Sequence, residues 1–114
     1  MPSERDRANL ADILFNLDLA DRFVSGLDYE GFVDDMRTFY ALTRCLEIIS
    51  EASRRLSEEL KARHPEIPWR QIAGSGNVYR HDYEDVLHRL VWGTVHGALP
   101  TLRSAVEAEL GGLS

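Results

Sequence analysis

One stretch of this sequence gathers the groups that could move a proton, hold a phosphate or accept a covalent modification: Gly74-Ser75-Gly76-Asn77-Val78-Tyr79-Arg80-His81-Asp82-Tyr83. Histidine exchanges protons near neutral pH, so His81 is the candidate acid/base. Asp82 or Tyr83 could orient it, and Arg80 adds a fixed charge suited to phosphate. Together they suit metal-free cleavage of a phosphodiester. The imidazole would deprotonate a ribose 2′-hydroxyl or protonate the leaving oxygen, while the guanidinium steadies the crowded phosphorus. The competing reading is a histidine that caps the next helix and bonds a backbone carbonyl; the residue types alone leave both open. The glycines flanking Ser75 let the backbone turn. They do not make a phosphate loop, because the stretch follows a helical pattern and lacks the Lys-Ser/Thr and dinucleotide fingerprints.

Other chemistry-bearing residues give weaker signals. His64, His81, His88 and His96 form no convincing metal-ligand set. His88 and His96 are two turns apart, but their neighbours are Leu, Val and Trp, and no metal is expected. The single cysteine, Cys45, lies among apolar residues and reads as a buried structural thiol. Glu47 and Glu51 stand one helical turn apart with Arg44, Arg54 and Arg55 at compensating spacings. They form either a solvated ion-pair face or carboxylates that support a site.

The elements that must position these groups are helical. Leu10, Ile13, Leu14, Leu17 and Val24 recur at helical spacing behind Ser3, an N-cap followed by acidic residues, and Gly26 ends that helix. Asp28 can cap a second helix that the apolar period carries from Tyr29 to about Arg63, with a kink expected near Ser50 or Ser53. His64-Pro65-Glu66-Ile67-Pro68-Trp69 breaks it, and a short helix opens around Pro68, with Trp69 as a core plug. After the central stretch the pattern from Val86 to Leu110 builds a last helix, which Pro100 should kink or divide near Ala98. The expected architecture is an all-α antiparallel bundle of four to five helices, one domain over residues 1–114.

Composition narrows the function. With 114 residues, 44% hydrophobic and 28% charged, the chain suits a single core. No apolar run approaches the roughly 20 residues needed to cross a bilayer, and no signal-peptide pattern opens the chain, so a cytoplasmic location is expected. The formal charge of −6 would repel a polyanion except at a local basic patch.

Three blocks in order carry a resemblance: Leu46-Glu47-Ile48-Ile49-Ser50-Glu51-Ala52, then His64-Pro65-Glu66-Ile67-Pro68-Trp69, then Asn77 with His81 and Tyr83. Together they resemble the HepT-like branch of the HEPN domains, over almost the whole chain to Leu99-Pro100-Thr101-Leu102. The resemblance implies a helical homodimer whose two motifs share one cleft, and a ribonuclease toxin of a type VII toxin–antitoxin pair. It implies a minimal nucleotidyltransferase as partner and antitoxin, and no cofactor. Carried over, His81 is the acid/base, Asn77 the motif asparagine, and Tyr83 the hydroxyl that receives AMP. Gly76 occupies the position of the family's motif arginine. Loss of that charge-assisted donor would cost about 2.7–4 kcal/mol of transition-state stabilisation, by analogy with an oxyanion donor. Arg80 is the candidate substitute, although on a helix it would point about 100° away from His81.

Three functions follow as expectations: a metal-independent endoribonuclease switched off at Tyr83; a catalytically degenerate module that partners a nucleotidyltransferase; and a purely structural dimer. The first rests on the histidine and tyrosine of the motif, the second on Gly76 and the acidic surface.

Overall fold

The computed structural model describes residues 2–75 and 84–111. Helix α1 runs Glu4–Val24, with Ser3 accepting a hydrogen bond from the Asp6 amide at 3.0 Å. Leu10, Ile13, Leu17 and Ala20 are its buried stripe. Gly26 has φ of 79°, a left-handed turn that favours glycine, and it sends the chain back along the bundle.

The stretch expected as one helix from Tyr29 to Arg63 is three. Helix α2 (Tyr29–Val33) begins at Asp28, whose carboxylate accepts from the Gly31 amide at 2.8 Å. Helix α3 (Met36–Arg54) begins at Asp35, which has left helical geometry at φ −110° and ψ 89°. Asp35 accepts from both the Thr38 amide (3.1 Å) and the Thr38 hydroxyl (2.7 Å). A short acidic side chain that caps a new helix outcompetes continuation of the old one. The second break also differs from expectation. Ser53 does bond back to the Ser50 carbonyl, yet the helix continues to Arg54 and stops there. Ser57 then caps α4 (Glu58–Ala62), and the buried Asp6 carboxylate accepts from the Ser57 amide at 2.9 Å and its hydroxyl at 2.6 Å. That pair joins the first turn of α1 to the first turn of α4.

Helix α5 (Trp69–Gly74) follows Pro68. Trp69 packs on the core and donates its indole N–H to the carbonyls of Lys61 and His64, both at 3.1 Å. The C-terminal pattern divides as expected, into α6 (Glu84–His96) and α7 (Ala98–Leu110). The pivot is Gly97, where a Cβ would meet the Gly93 carbonyl oxygen at 2.9 Å. Pro100 sits in the first turn of α7, where its missing N–H leaves no intrahelical bond unmade.

Among the described residues there are thus seven helical segments and no strand; four are long (α1, α3, α6, α7) and three span five or six residues. Helix α1 packs along α3 and α7, α5 lies against α3, and α6 folds onto α7. Leu42, Leu46, Ile49, Phe32, Ile72, Val91, Leu102 and Val106 fill the centre, together with the buried thiol of Cys45. Two polar ties fasten the outside. Arg103 reaches Asp18 at 2.9 Å and Asp21 at 2.8 Å, linking α7 to α1. Glu109, near the end of α7, accepts from Arg63 (3.2 and 2.9 Å) and from His64 Nε2 (2.6 Å).

Candidate active site

Residues 76–83 join α5 to α6. Gly76, Asn77, Arg80, His81, Asp82 and Tyr83 all fall outside the described residues; the described part of the candidate site is the two ends that deliver the segment. Its entrance is the last turn of α5. Ser75 is buried and donates its hydroxyl to the Ile72 carbonyl at 2.8 Å. The Ala73 carbonyl accepts from the Ser50 hydroxyl and from Arg54 Nη1 at 2.6 Å. Ser50 is itself buried, so a hydroxyl in the core stripe of α3 fixes the end of α5.

The exit is the start of α6. His88 is buried against Phe32 and Phe39, with ring centroids 5.6 and 4.6 Å away. Leu87 lines a groove of about 380 Å³ with Phe39, Tyr40, Thr43, Arg44 and Glu47. The entrance is therefore held at the Ser50–Arg54 level of α3, and the exit at the Phe39–Glu47 level. The two levels are centred about nine residues apart, two and a half helical turns or roughly 13 Å.

Of the carboxylates singled out from the sequence, Glu51 lies at the entrance level of α3 and Glu47 at the exit level. Glu51 pairs with Arg55 at 2.8 Å and Arg54 at 3.4 Å, and Glu47 lies 3.4 Å from Arg44. The three described histidines go separate ways. His64 bonds Glu109, His88 is sealed among phenylalanines, and His96 stacks on Trp92 at 4.1 Å with Nδ1 2.9 Å from the Trp92 carbonyl. Among the described residues no three His, Cys, Asp or Glu side chains cluster to hold a metal. Burial raises the Cys45 thiol pKa, as suits an inert core group. Among the described residues, no helix is long and apolar enough to cross a membrane.

The roles of Ser50 and Arg54 were not legible from the sequence. A serine inside an apolar stripe is the signal that was present, since a buried hydroxyl must find a partner. The sequence offered only a local one.

Comparison with known proteins places the chain. A family model for Ribonuclease HepT-like proteins matches residues 13–109. "Probable ribonuclease HepT" of Thermococcus cleftensis is 38% identical over 98 residues, covering 86% of this chain and 89% of the relative. "Putative RNase MJ0125" of Methanocaldococcus jannaschii is 33% identical over 107 residues, or 94% of this chain and 92% of the relative. A third relative, "Putative RNase TTE0752" of Caldanaerobacter subterraneus, is 35% identical over 101 residues, covering 89% and 90%. No solved structure matches the chain. The all-helical architecture, the blocks around Glu47 and Trp69, and a match that runs through the α5–α6 connection agree: this chain belongs to the ribonuclease HepT-like family of HEPN domains.

Proposed function

We propose that the protein is a metal-independent endoribonuclease, the toxin of a toxin–antitoxin pair, with His81 as acid/base. The observation that carries this is the family match, whose range, residues 13–109, includes His81 and Tyr83. In the proposed reaction the 2′-hydroxyl oxygen of a ribose attacks the adjacent phosphorus. The P–O5′ bond breaks, leaving a 2′,3′-cyclic phosphate and a 5′-hydroxyl. His81 takes the 2′ proton or supplies the proton to the departing 5′ oxygen, and a guanidinium offsets charge on the phosphorus oxygens. Asn77 and Asp82 would support that histidine, and Glu47 and Glu51 would hold the basic side chains along α3.

The active form would be a homodimer whose two motifs share one cleft. Met36, Tyr40 and Leu90 are exposed. Met36 lies a turn before Tyr40 on α3, and Leu90 nearly a turn after Leu87 on α6, so an apolar face borders the groove and a second copy would cover it. Silencing would fall to a minimal nucleotidyltransferase. The Tyr83 phenolate oxygen attacks the α-phosphorus of ATP, pyrophosphate leaves, and the phenol proton passes to base. The resulting AMP ester adds negative charge and bulk beside His81 and excludes RNA. A cytoplasmic location goes with this role.

Incubating the purified protein with single-stranded RNA in EDTA, beside His81→Ala, tests the reading. Cleavage by the parent and a loss of 100-fold or more in the variant are expected; equal cleavage by both, or none by either, removes the mechanism. Gly76 favours a second reading, in which the chain is a catalytically degenerate partner of the nucleotidyltransferase. Toxicity that appears only with Gly76→Arg would support it, and toxicity of the native chain would count against it.

A further inference from the structure

The reading above asks for a guanidinium at the phosphate, where the resemblance puts Gly76 in place of arginine. Arg54, in the last turn of α3, is fixed by two bonds from one nitrogen: Nη1 to the Ala73 carbonyl at 2.6 Å and Nη1 to the Ser50 hydroxyl at 2.9 Å. Ala73 precedes Gly76 by three residues, a span that no chain stretches beyond about 11 Å. A positive charge is therefore anchored where the chain enters the candidate site.

The way it is anchored matters more than its place. Ser50 alone already satisfies the Ala73 carbonyl, so the structural tie does not require an arginine. Nη1 is engaged in it, which leaves Nε and Nη2, the side-on fork that grips a phosphate or carboxylate with two parallel bonds. Among the described residues Nε makes no hydrogen bond. Nη2 has only a long contact to Glu51 at 3.4 Å, and that carboxylate is held more closely by Arg55 at 2.8 Å. The Arg54 side chain is 46% exposed, open to solvent yet immobilised at its far end. A fork held this way gives up little side-chain entropy when it binds an oxyanion.

We propose that Arg54 is the phosphate-contacting guanidinium of the RNA site, its Nε–Nη2 edge receiving a phosphodiester in place of an arginine at position 76. The proposal rests on the ribonuclease reading, and its test separates the two. The full-length protein is assayed with a labelled single-stranded RNA in EDTA for cleavage, and for binding across a salt series.

Arg54→Gln keeps a planar amide donor for the Ala73 carbonyl and removes the charge. Its cleavage should fall 100- to 1000-fold. The slope of log affinity against log salt should shrink by about 0.7, one phosphate contact on a single strand. Gly76→Arg added to that variant should recover most of both. A structural role alone would lower the melting temperature and leave the salt slope unchanged; that result overturns the proposal. So does an Arg54→Gln protein that cuts and binds like the parent while Arg80→Gln loses both, or a parent that stays inert until Gly76→Arg is introduced. If His81→Ala cuts as well as the parent, the catalytic reading fails by itself, and the salt slope of Arg54→Gln still decides this one.

Discussion

At Glu109 three donors converge on one carboxylate that is only 11% exposed, and this governs how the protein meets acid. The Arg63 guanidinium, and after it the His64 ring, hold the Glu109 carboxyl down from 4.5 to about 2, against the opposing effect of burial. A carboxyl with a depressed folded-state pKa contributes stability that is complete above its unfolded value. That contribution is lost as pH falls from 4.5 towards 2. Glu109→Gln should therefore cost about 1.5–3 kcal/mol at neutral pH, in the range of hydrogen bonds to charged groups. Across that acid window the variant should lose less additional stability than the parent. Denaturant melts at pH 7, 4.5 and 2.5 check it; parallel acid profiles for the two proteins would refute the assignment. The same residue scale explains how one carbonyl, that of Ala73, comes to set the start of the candidate site: a buried hydroxyl and a half-exposed guanidinium both point to it.

Between elements, the division of the C-terminal pattern depends on a close backbone approach. Because a Cβ at Gly97 would sit 2.9 Å from the Gly93 carbonyl, Gly97→Ala should push α6 and α7 apart and cost about 1–3 kcal/mol. Gly93→Ala, whose Cβ would meet nothing within 4 Å inside α6, is the matched control and should stabilise by up to about 1 kcal/mol, because alanine is the better helix former. A thermal melt of each variant checks the contrast. Such contacts also mark what the sequence could tell. The periodic stripes of α1, α3 and α7 were legible because burial of an apolar face repeats along the chain, and the division near Ala98 was legible from Pro100. The breaks at Asp35 and Ser57 were not. Each depends on a polar side chain choosing to cap, with Asp35 taking the Thr38 amide and Ser57 gaining Asp6 from 51 residues away. A period search counts Asp34, Asp35 and Ser57 as solvent-facing helix positions. For the candidate site, residue types identified the stretch with His81, whereas the α3 side chains that meet its entrance emerge only from tertiary packing. Arg54 looked like one more member of a charged helix face.

Over the whole molecule, the net charge of −6 sets the surface as a whole against a polyanion, so recognition must rest on local cationic positions. Arg44, Arg54, Arg55, Lys61, Arg63 and Arg103 are in ion pairs with acids on the protein itself. Among the described residues the packing of α1, α3 and α7 forms a frame with its own buried core. His81→Ala should alter chemistry without collapsing that frame. Cys45 supplies a way to watch that independence. Closed off at the middle of α3, it can meet an alkylating reagent only when the whole frame opens. The chain therefore carries its own unfolding clock: under native conditions the rate of thiol capture should follow global stability, slow in His81→Ala and quickened in Gly97→Ala. A sulfhydryl that reacts at once in the untouched protein would mean the interior is not sealed as described.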